Sequence, residues 1–193
     1  ALADRLGACC CVNITGSCGE QWDGPHPDNV APETFDRIVE LTRRIIDAVD
    51  PTHTVYSLET MPWALPDSPE SYLELLQAIN RPKQFAVHLD PINLINSPRR
   101  YYACGDFVRH CFELLGPYIV SCHTKDLKLQ KPLTITMPEA PIGQGGFDHR
   151  AYLDELNKLD ADIPLMMEHM APDDYGPAAE HLRDIARQIG ATL

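Results

Sequence analysis

Apolar and polar residues alternate with a period of two over 85–90, the pattern of a strand. Phe85, Val87 and Leu89 share one side, suited to packing beneath helices, while Ala86, His88 and Asp90 share the other. Pro91 ends the run. The same design recurs over 54–59, 118–125 and 164–168. Val55, Ser57 and Glu59 share a side in the first, and Ile119, Ser121, His123 and Lys125 in the second. Pro164, Met166 and Glu168 share one in the third. Strands therefore end in Glu59, Asp90, His123 and Glu168, at intervals of 31, 33 and 45 residues. Each interval is long enough for a helix and two loops.

Between these stretches the period lengthens to that of a helix. Pro32 stands where a first helical turn tolerates proline, ahead of Phe35, Ile38, Val39, Ile45, Ile46 and Val49. Ser68, with Pro69 and Glu70 behind it, starts a helix whose apolar face is Tyr72, Leu75, Leu76 and Ile79. Phe107, Val108, Cys111, Leu114 and Leu115 predict a helix over 106–115 that Gly116 and Pro117 end. Asp148 caps a helix bearing Tyr152, Leu153, Leu156 and Leu159, and a last helix carries Ala178, Leu182, Ile185, Ala186 and Ile189. Upstream, 8–16 reads as a first strand with Cys9, Cys11, Asn13 and Thr15 on one side, and 1–7 reads as the end of a helix.

Strand and helix thus alternate five times, which implies an α/β protein with a parallel sheet under helices. A carboxylate at the carboxyl end of a buried parallel strand is where an α/β barrel keeps its chemistry. A barrel of eight such units takes ~250 residues. The 193 residues here are expected to form a single domain over 1–193, an incomplete (β/α)8 barrel with its N-terminal units missing.

Composition narrows the partners. Hydrophobic residues are 44% and charged residues 23%, ordinary for a globular chain, and no apolar run is long enough to span a membrane. Net charge is −12, from 28 acidic against 16 basic residues, a sign that repels phosphate backbones. Neither nucleic acid nor a membrane is an expected partner. Seven cysteines with no CxxC pair, three of them consecutive at Cys9, Cys10 and Cys11, read as mostly buried thiols in a reducing cytoplasm.

The segments SLET with Glu59, VHLDP with Asp90, SCHTKD with His123 and MMEH with Glu168 stand in order at strand ends. Together with PIGQGGFDHRAYL before the penultimate helix, they resemble the xylose isomerase-like TIM barrel family, the sugar phosphate isomerase/epimerase superfamily. The resemblance covers nearly all of the chain and matches the family's C-terminal five-eighths. It implies one divalent ion held by Glu59, Asp90, His123 and Glu168, with Glu59 and Glu168 also moving protons from opposite sides of the substrate. Three carboxylates and one imidazole suit Mn²⁺, Mg²⁺ or Co²⁺ better than a thiolate-seeking ion, and Zn²⁺ is also compatible. Such an ion can grip adjacent oxygens of a hydroxy-ketone or hydroxy-aldehyde and stabilise an enediolate.

The implied function is that of a divalent-metal-dependent isomerase or epimerase acting on a sugar, sugar phosphate or related polyol, with the fragment itself open to being inactive. A lyase that dehydrates a keto-inositol would use the same chemistry. Hydrolysis at abasic sites in DNA is disfavoured by the charge, and by Asn93 standing where relatives often have a second histidine. A non-catalytic binding module is the remaining class, and a homo-oligomer is compatible with all of them.

Four further residues are expected to meet substrate: His88, Asn93, Lys125 and Trp63. His88 shares the inward side with Asp90, the plainer role being a satisfied interior histidine. Asn93 can bond a hydroxyl but cannot relay a proton. Lys125 can meet an anionic group or an enediolate, or else form an ion pair with a neighbouring carboxylate. Trp63, like Trp22, lies in a loop where it can stack on a sugar or simply pack. The glycines at 143, 145 and 146 can offer N–H groups to a phosphate or form a plain turn. Arg99 and Arg100 can reach a phosphate or remain solvated. His169 has the wrong strand parity to join Glu168.

Overall fold

The computed structural model describes residues 1–160, 162–191 and 193. In chain order its elements are α1 (Leu2–Leu6), β1 (Cys10–Asn13), α2 (Pro32–Val49), β2 (Val55–Glu59), α3 (Pro69–Ile79) and β3 (Phe85–Leu89). There follow α4 (Pro98–Tyr102), α5 (Cys104–Leu115), β4 (Ile119–Thr124), β5 (Asp126–Leu127), β6 (Glu139–Ala140), α6 (His149–Leu156), β7 (Leu165–Met167) and α7 (Tyr175–Ile189). Five strands pair in the order β1-β2-β3-β4-β7, every pair parallel, and form a half-barrel of the TIM type. β5 and β6 make a separate antiparallel pair. No described helix is long and apolar enough to cross a membrane.

The helices start where the chemistry of their first turns dictates. Ser68 and Ser71 form a capping box, each hydroxyl accepting the other's backbone N–H at 3.1 Å. The α3 face of Tyr72, Leu75 and Ile79 is then fully buried. The Tyr72 hydroxyl reaches the sheet, donating to the Leu58 carbonyl at 2.6 Å. In α2 the buried stripe is Ile38, Val39, Thr42 and Ile46, while Ile45 and Val49 are exposed, so that face is narrower than its apolar spacing predicts. Asp148 caps α6 through Ala151 N–H at 2.9 Å. A Cβ on Gly105 would stand 2.4 Å from that capping carboxylate, so only glycine lets α5 approach α6 here.

Register decides which side chains face the barrel interior, because partners in a parallel pair share a face. Glu59 pairs with His88, His88 with Ser121, and His123 with Met166. The β3–β4 register slips by one residue, Val87 pairing with Ile119 but His88 with Ser121. This bulge puts Ser121 and His123 inside and turns Ile119 outward into the helix-covered core, where unbroken alternation would have placed it inside. At β1, Val12 pairs with Ser57 and Cys11 with Tyr56. Cys10 and Val12 are therefore the inward residues, and the Cys9, Cys11, Asn13 side is the outer one. There Asn13 Nδ2 donates to the Tyr56 hydroxyl at 3.1 Å.

Cys104, Cys111 and Cys122 are buried as expected, but Cys9 and Cys11, at the edge strand β1, and Cys18, in the loop after it, are exposed. The end of the long segment after β4 is gathered around one carboxylate. Asp126 accepts the N–H groups of Leu127, Gly143, Gly145 and Phe147 at 2.8–3.0 Å. A Cβ on Gly145 would collide with Asp126 Oδ1 at 2.1 Å, which is why the glycine-rich turn is needed.

Candidate metal centre

Four strands deliver their terminal polar residues to one place. Glu59, Asp90, His123 and Glu168 each present a ligand atom, and these atoms all lie within 4.8 Å of one another. His123 Nδ1 is 3.2 Å from both Glu59 Oε1 and Glu168 Oε2. Asp90 is wholly buried, held by Ile92 and Asn93 N–H groups on Oδ1 at 3.0 and 3.1 Å. Its backbone is fixed by Thr60, whose hydroxyl donates to the Asp90 carbonyl at 2.7 Å and accepts its N–H at 3.0 Å.

Three carboxylates this close repel one another unless positive charge lies among them. Lys125 supplies part of it, with Nζ 2.9 Å from Asp90 Oδ2, 2.5 Å from Glu168 Oε1 and 3.7 Å from Glu139 Oε1. Burial works against the charged lysine, but Asp90 and Glu168 outweigh it and hold the ammonium well above its usual range. Burial would also lower His123, yet the bonds to Glu168 and Glu59 raise it to about 9. Glu168 is lowered to about 2, its burial overcome by His123 and Lys125. Burial pushes Asp90 up to about 6, with Lys125 opposing the rise.

The remaining expected residues divide. His88 is wholly buried beside the cluster, its ring edge-on to His123 with centroids 4.2 Å apart. Burial and the His123 charge lower it to about 4, so the imidazole is neutral. Asn93 Nδ2 donates to Glu59 Oε1 and to the Thr60 carbonyl, both at 3.1 Å, and so orients Glu59. Lys125 forms the ion pairs rather than standing free. Trp63 makes no described hydrogen bond to the cluster; its carbonyl accepts from Asn29 Nδ2 at 3.1 Å. Trp22 is exposed. Arg100 is structural, bonded to the Leu94 carbonyl at 2.8 Å and stacked on Phe107. The glycine-loop N–H groups of Gly143 and Gly145 are taken by Asp126 and cannot serve a phosphate.

Two residues at the site were missed. His169 has a left-handed backbone, φ 57°, just past the end of β7, so strand parity does not govern it. Its Nδ1 lies 2.8 Å from Glu139 Oε1 and its Nε2 3.7 Å from Glu168 Oε2. Glu139 arrives from β6, inside a segment with no periodic signal. A groove of mixed polarity, lined by Leu153, Leu156, Asn157, Leu165, Leu182 and Arg183, shares no residue with this cluster.

The donor set fits a divalent cation. Asp90 Oδ2 is buried and makes no aligned hydrogen bond despite its nearness to Lys125, and oxygen donors outnumber nitrogen, as hard cations require. Residues 1–185 match the family model described as Xylose isomerase-like TIM barrel. The chain belongs to that family.

Solved structures agree on the fold. A xylose isomerase domain protein from Planctomyces limnophilus superposes with a TM-score of 0.70 at 23% identity, over 97% of this chain and 62% of that one. A xylose isomerase-like TIM barrel protein from Mycobacterium smegmatis, in complex with magnesium, gives 0.68 at 17% identity, over 97% and 63%. A D-tagatose 3-epimerase-like protein gives 0.69 at 19% identity, over 97% and 66%. The chain thus spans less than two thirds of the length of these proteins. Other structures similar in fold carry the names of a probable 3-DHS dehydratase, an IOLI protein with a zinc atom and endonuclease IV, so proteins that share this fold differ in function. No curated protein matches the sequence.

Proposed function

We propose that this chain carries the metal-binding half of a divalent-metal-dependent isomerase or epimerase acting on a small sugar, sugar phosphate or polyol. The observation behind the reading is the convergence of Glu59, Asp90, His123 and Glu168, each from a different strand end, within 4.8 Å. These four would hold the ion, with Mg²⁺, Mn²⁺ or Co²⁺ preferred by the three carboxylates. When bound, the ion would supply electrostatic stabilisation to the two adjacent substrate oxygens as the substrate carbon gives up its proton to a carboxylate.

The chain's own residues would move the protons. Glu59 and Glu168 arrive from different strands and both lie 3.2 Å from His123 Nδ1, so two carboxylates stand within reach of a substrate carbon lying over the cluster. Asn93 holds one Glu59 oxygen and leaves the other free for the proton. Lys125, once its carboxylate partners turn to the ion, is the group able to face developing negative charge on the substrate. Trp63 is proposed to contact substrate from the rim, while His88, wholly buried, is proposed to act from beneath the cluster rather than on the substrate itself.

The dehydratase reading uses the same proton abstraction with loss of water. It is kept because one similar structure is a probable dehydratase. A DNA-directed reading is opposed by the net charge of −12. The test is deuterium exchange from solvent into the substrate carbon by the full-length protein. Exchange that is abolished in Glu168→Gln while part of the metal affinity survives supports the two-glutamate role. Exchange at the wild-type rate makes Glu168 a ligand only.

A further inference from the structure

A second set of potential ligands overlaps the first. Glu59, His88 and His123 also present ligand atoms within 4.8 Å of one another. His88 does not join Asp90 and Glu168 in a single mutually close set. Metal–ligand bonds of ~2.0–2.2 Å keep the ligand atoms of one ion within ~4.4 Å of one another. One ion therefore cannot take all five residues. His88 precedes Asp90 by two residues on the same strand, which places it ~6.6 Å deeper in the half-barrel.

The surroundings of His88 are those of a ligating histidine. Its Nδ1 lies 2.7 Å from Ser121 Oγ, which in turn is 3.2 Å from Cys10 Sγ. A hydroxyl that accepts from Nδ1–H and passes its own proton toward the thiol leaves the Nε2 lone pair free. Nε2 is buried and has no hydrogen-bond partner among the described residues. A metal-bound imidazole has this arrangement, one nitrogen tied by a neighbour and the other aimed at the ion. An imidazole kept only for packing would leave a buried polar atom unsatisfied at a cost.

Building on the outer four-ligand reading, we propose that Glu59, His88 and His123 form a second, deeper cation position selective for Zn²⁺. Two imidazoles and one carboxylate with an open fourth position suit a tetrahedral borderline ion. The outer position, rich in carboxylates, suits harder ions. Because Glu59 and His123 serve both, Zn²⁺ and Mn²⁺ compete for the protein while sitting in different places.

The test is zinc K-edge absorption spectroscopy on the unmodified full chain loaded with one equivalent of Zn²⁺, alongside Mn²⁺ titration followed by electron paramagnetic resonance. The expected result is two imidazole ligands on zinc, and displacement of bound Mn²⁺ by zinc. In His88→Phe, zinc should show one imidazole and bind ~10-fold or more weakly, with Mn²⁺ affinity changed less than about threefold. A single imidazole on zinc in the unmodified chain overturns the inner position while leaving the outer one standing, provided that Mn²⁺ still binds. Failure of the unmodified chain to bind either ion overturns both.

Discussion

Lys125 and Asp90 form a buried ion pair, with Nζ 2.9 Å from Oδ2 and the two side chains 3% and 0% exposed. The ammonium also touches Glu168, so one lysine neutralises two of the proposed metal ligands. A divalent ion must therefore compete with a resident charge for the same oxygens.

Replacing Lys125 by Met should separate the two roles. The metal-free protein should lose about 3 kcal/mol of stability or more, because Asp90 is left buried without its partner. Mn²⁺ affinity should rise at the same time, and added Mn²⁺ should recover more stability than it does in the wild type. Denaturant unfolding with and without Mn²⁺ reads both. Unchanged stability in chelator would show that the pair contributes nothing.

His123 gives the site a pH dependence with a definite sign. Its pKa is raised from 6.5 to about 9 by Glu168 and Glu59 against burial, so its charged form stabilises the metal-free fold. That stabilisation is complete below 6.5 and is lost as pH rises through 9. Metal binding requires the neutral imidazole and so should release about one proton near pH 7.5. Calorimetry in buffers of different ionisation enthalpy measures the release, and denaturation in chelator between pH 6.5 and 9 should show stability falling. Binding with no proton released would mean that His123 is not a ligand.

Asn93 should matter through Glu59. Asn93→Leu removes the donor at 3.1 Å from Glu59 Oε1 and should weaken Mn²⁺ binding ~10-fold, the scale for groups that orient ligands. Asn93→Gln should recover part of the loss if its longer amide still reaches Glu59. Equal affinities in all three proteins would reduce Asn93 to a loop residue.

Much of this arrangement was legible in the sequence because strand alternation and strand-end carboxylates are local signals. Glu59, Asp90, His123 and Glu168 came from that pattern, and Ser68 and Asp148 from capping chemistry. What escaped depends on non-local geometry. The bulge that turns Ile119 outward is a property of the β3–β4 pairing, invisible in either strand alone. His169 joins the site through one left-handed residue, and Glu139 through a hairpin whose sequence has no periodicity. The glycine turn was visible, but not that Asp126 would claim its N–H groups.

Asp126 tests the glycine turn rather than the proposed ligands themselves. Asp126→Ala leaves four backbone N–H groups without their acceptor and should cost about 2 kcal/mol or more. Hydrogen exchange should speed up over 141–147 while β2 and β3 remain protected. Protection unchanged in that turn would mean that its conformation does not depend on the carboxylate.

The central claim is that Glu59, Asp90, His123 and Glu168 bind one divalent ion together. Anomalous diffraction at the manganese edge, from crystals of the protein grown with Mn²⁺, tests it most directly. The expected map has one strong peak within about 2.3 Å of an oxygen of each carboxylate and a nitrogen of His123, with Lys125 Nζ moved off Asp90. A map with no peak there at saturating Mn²⁺, and Lys125 still paired with Asp90 and Glu168, would contradict the account.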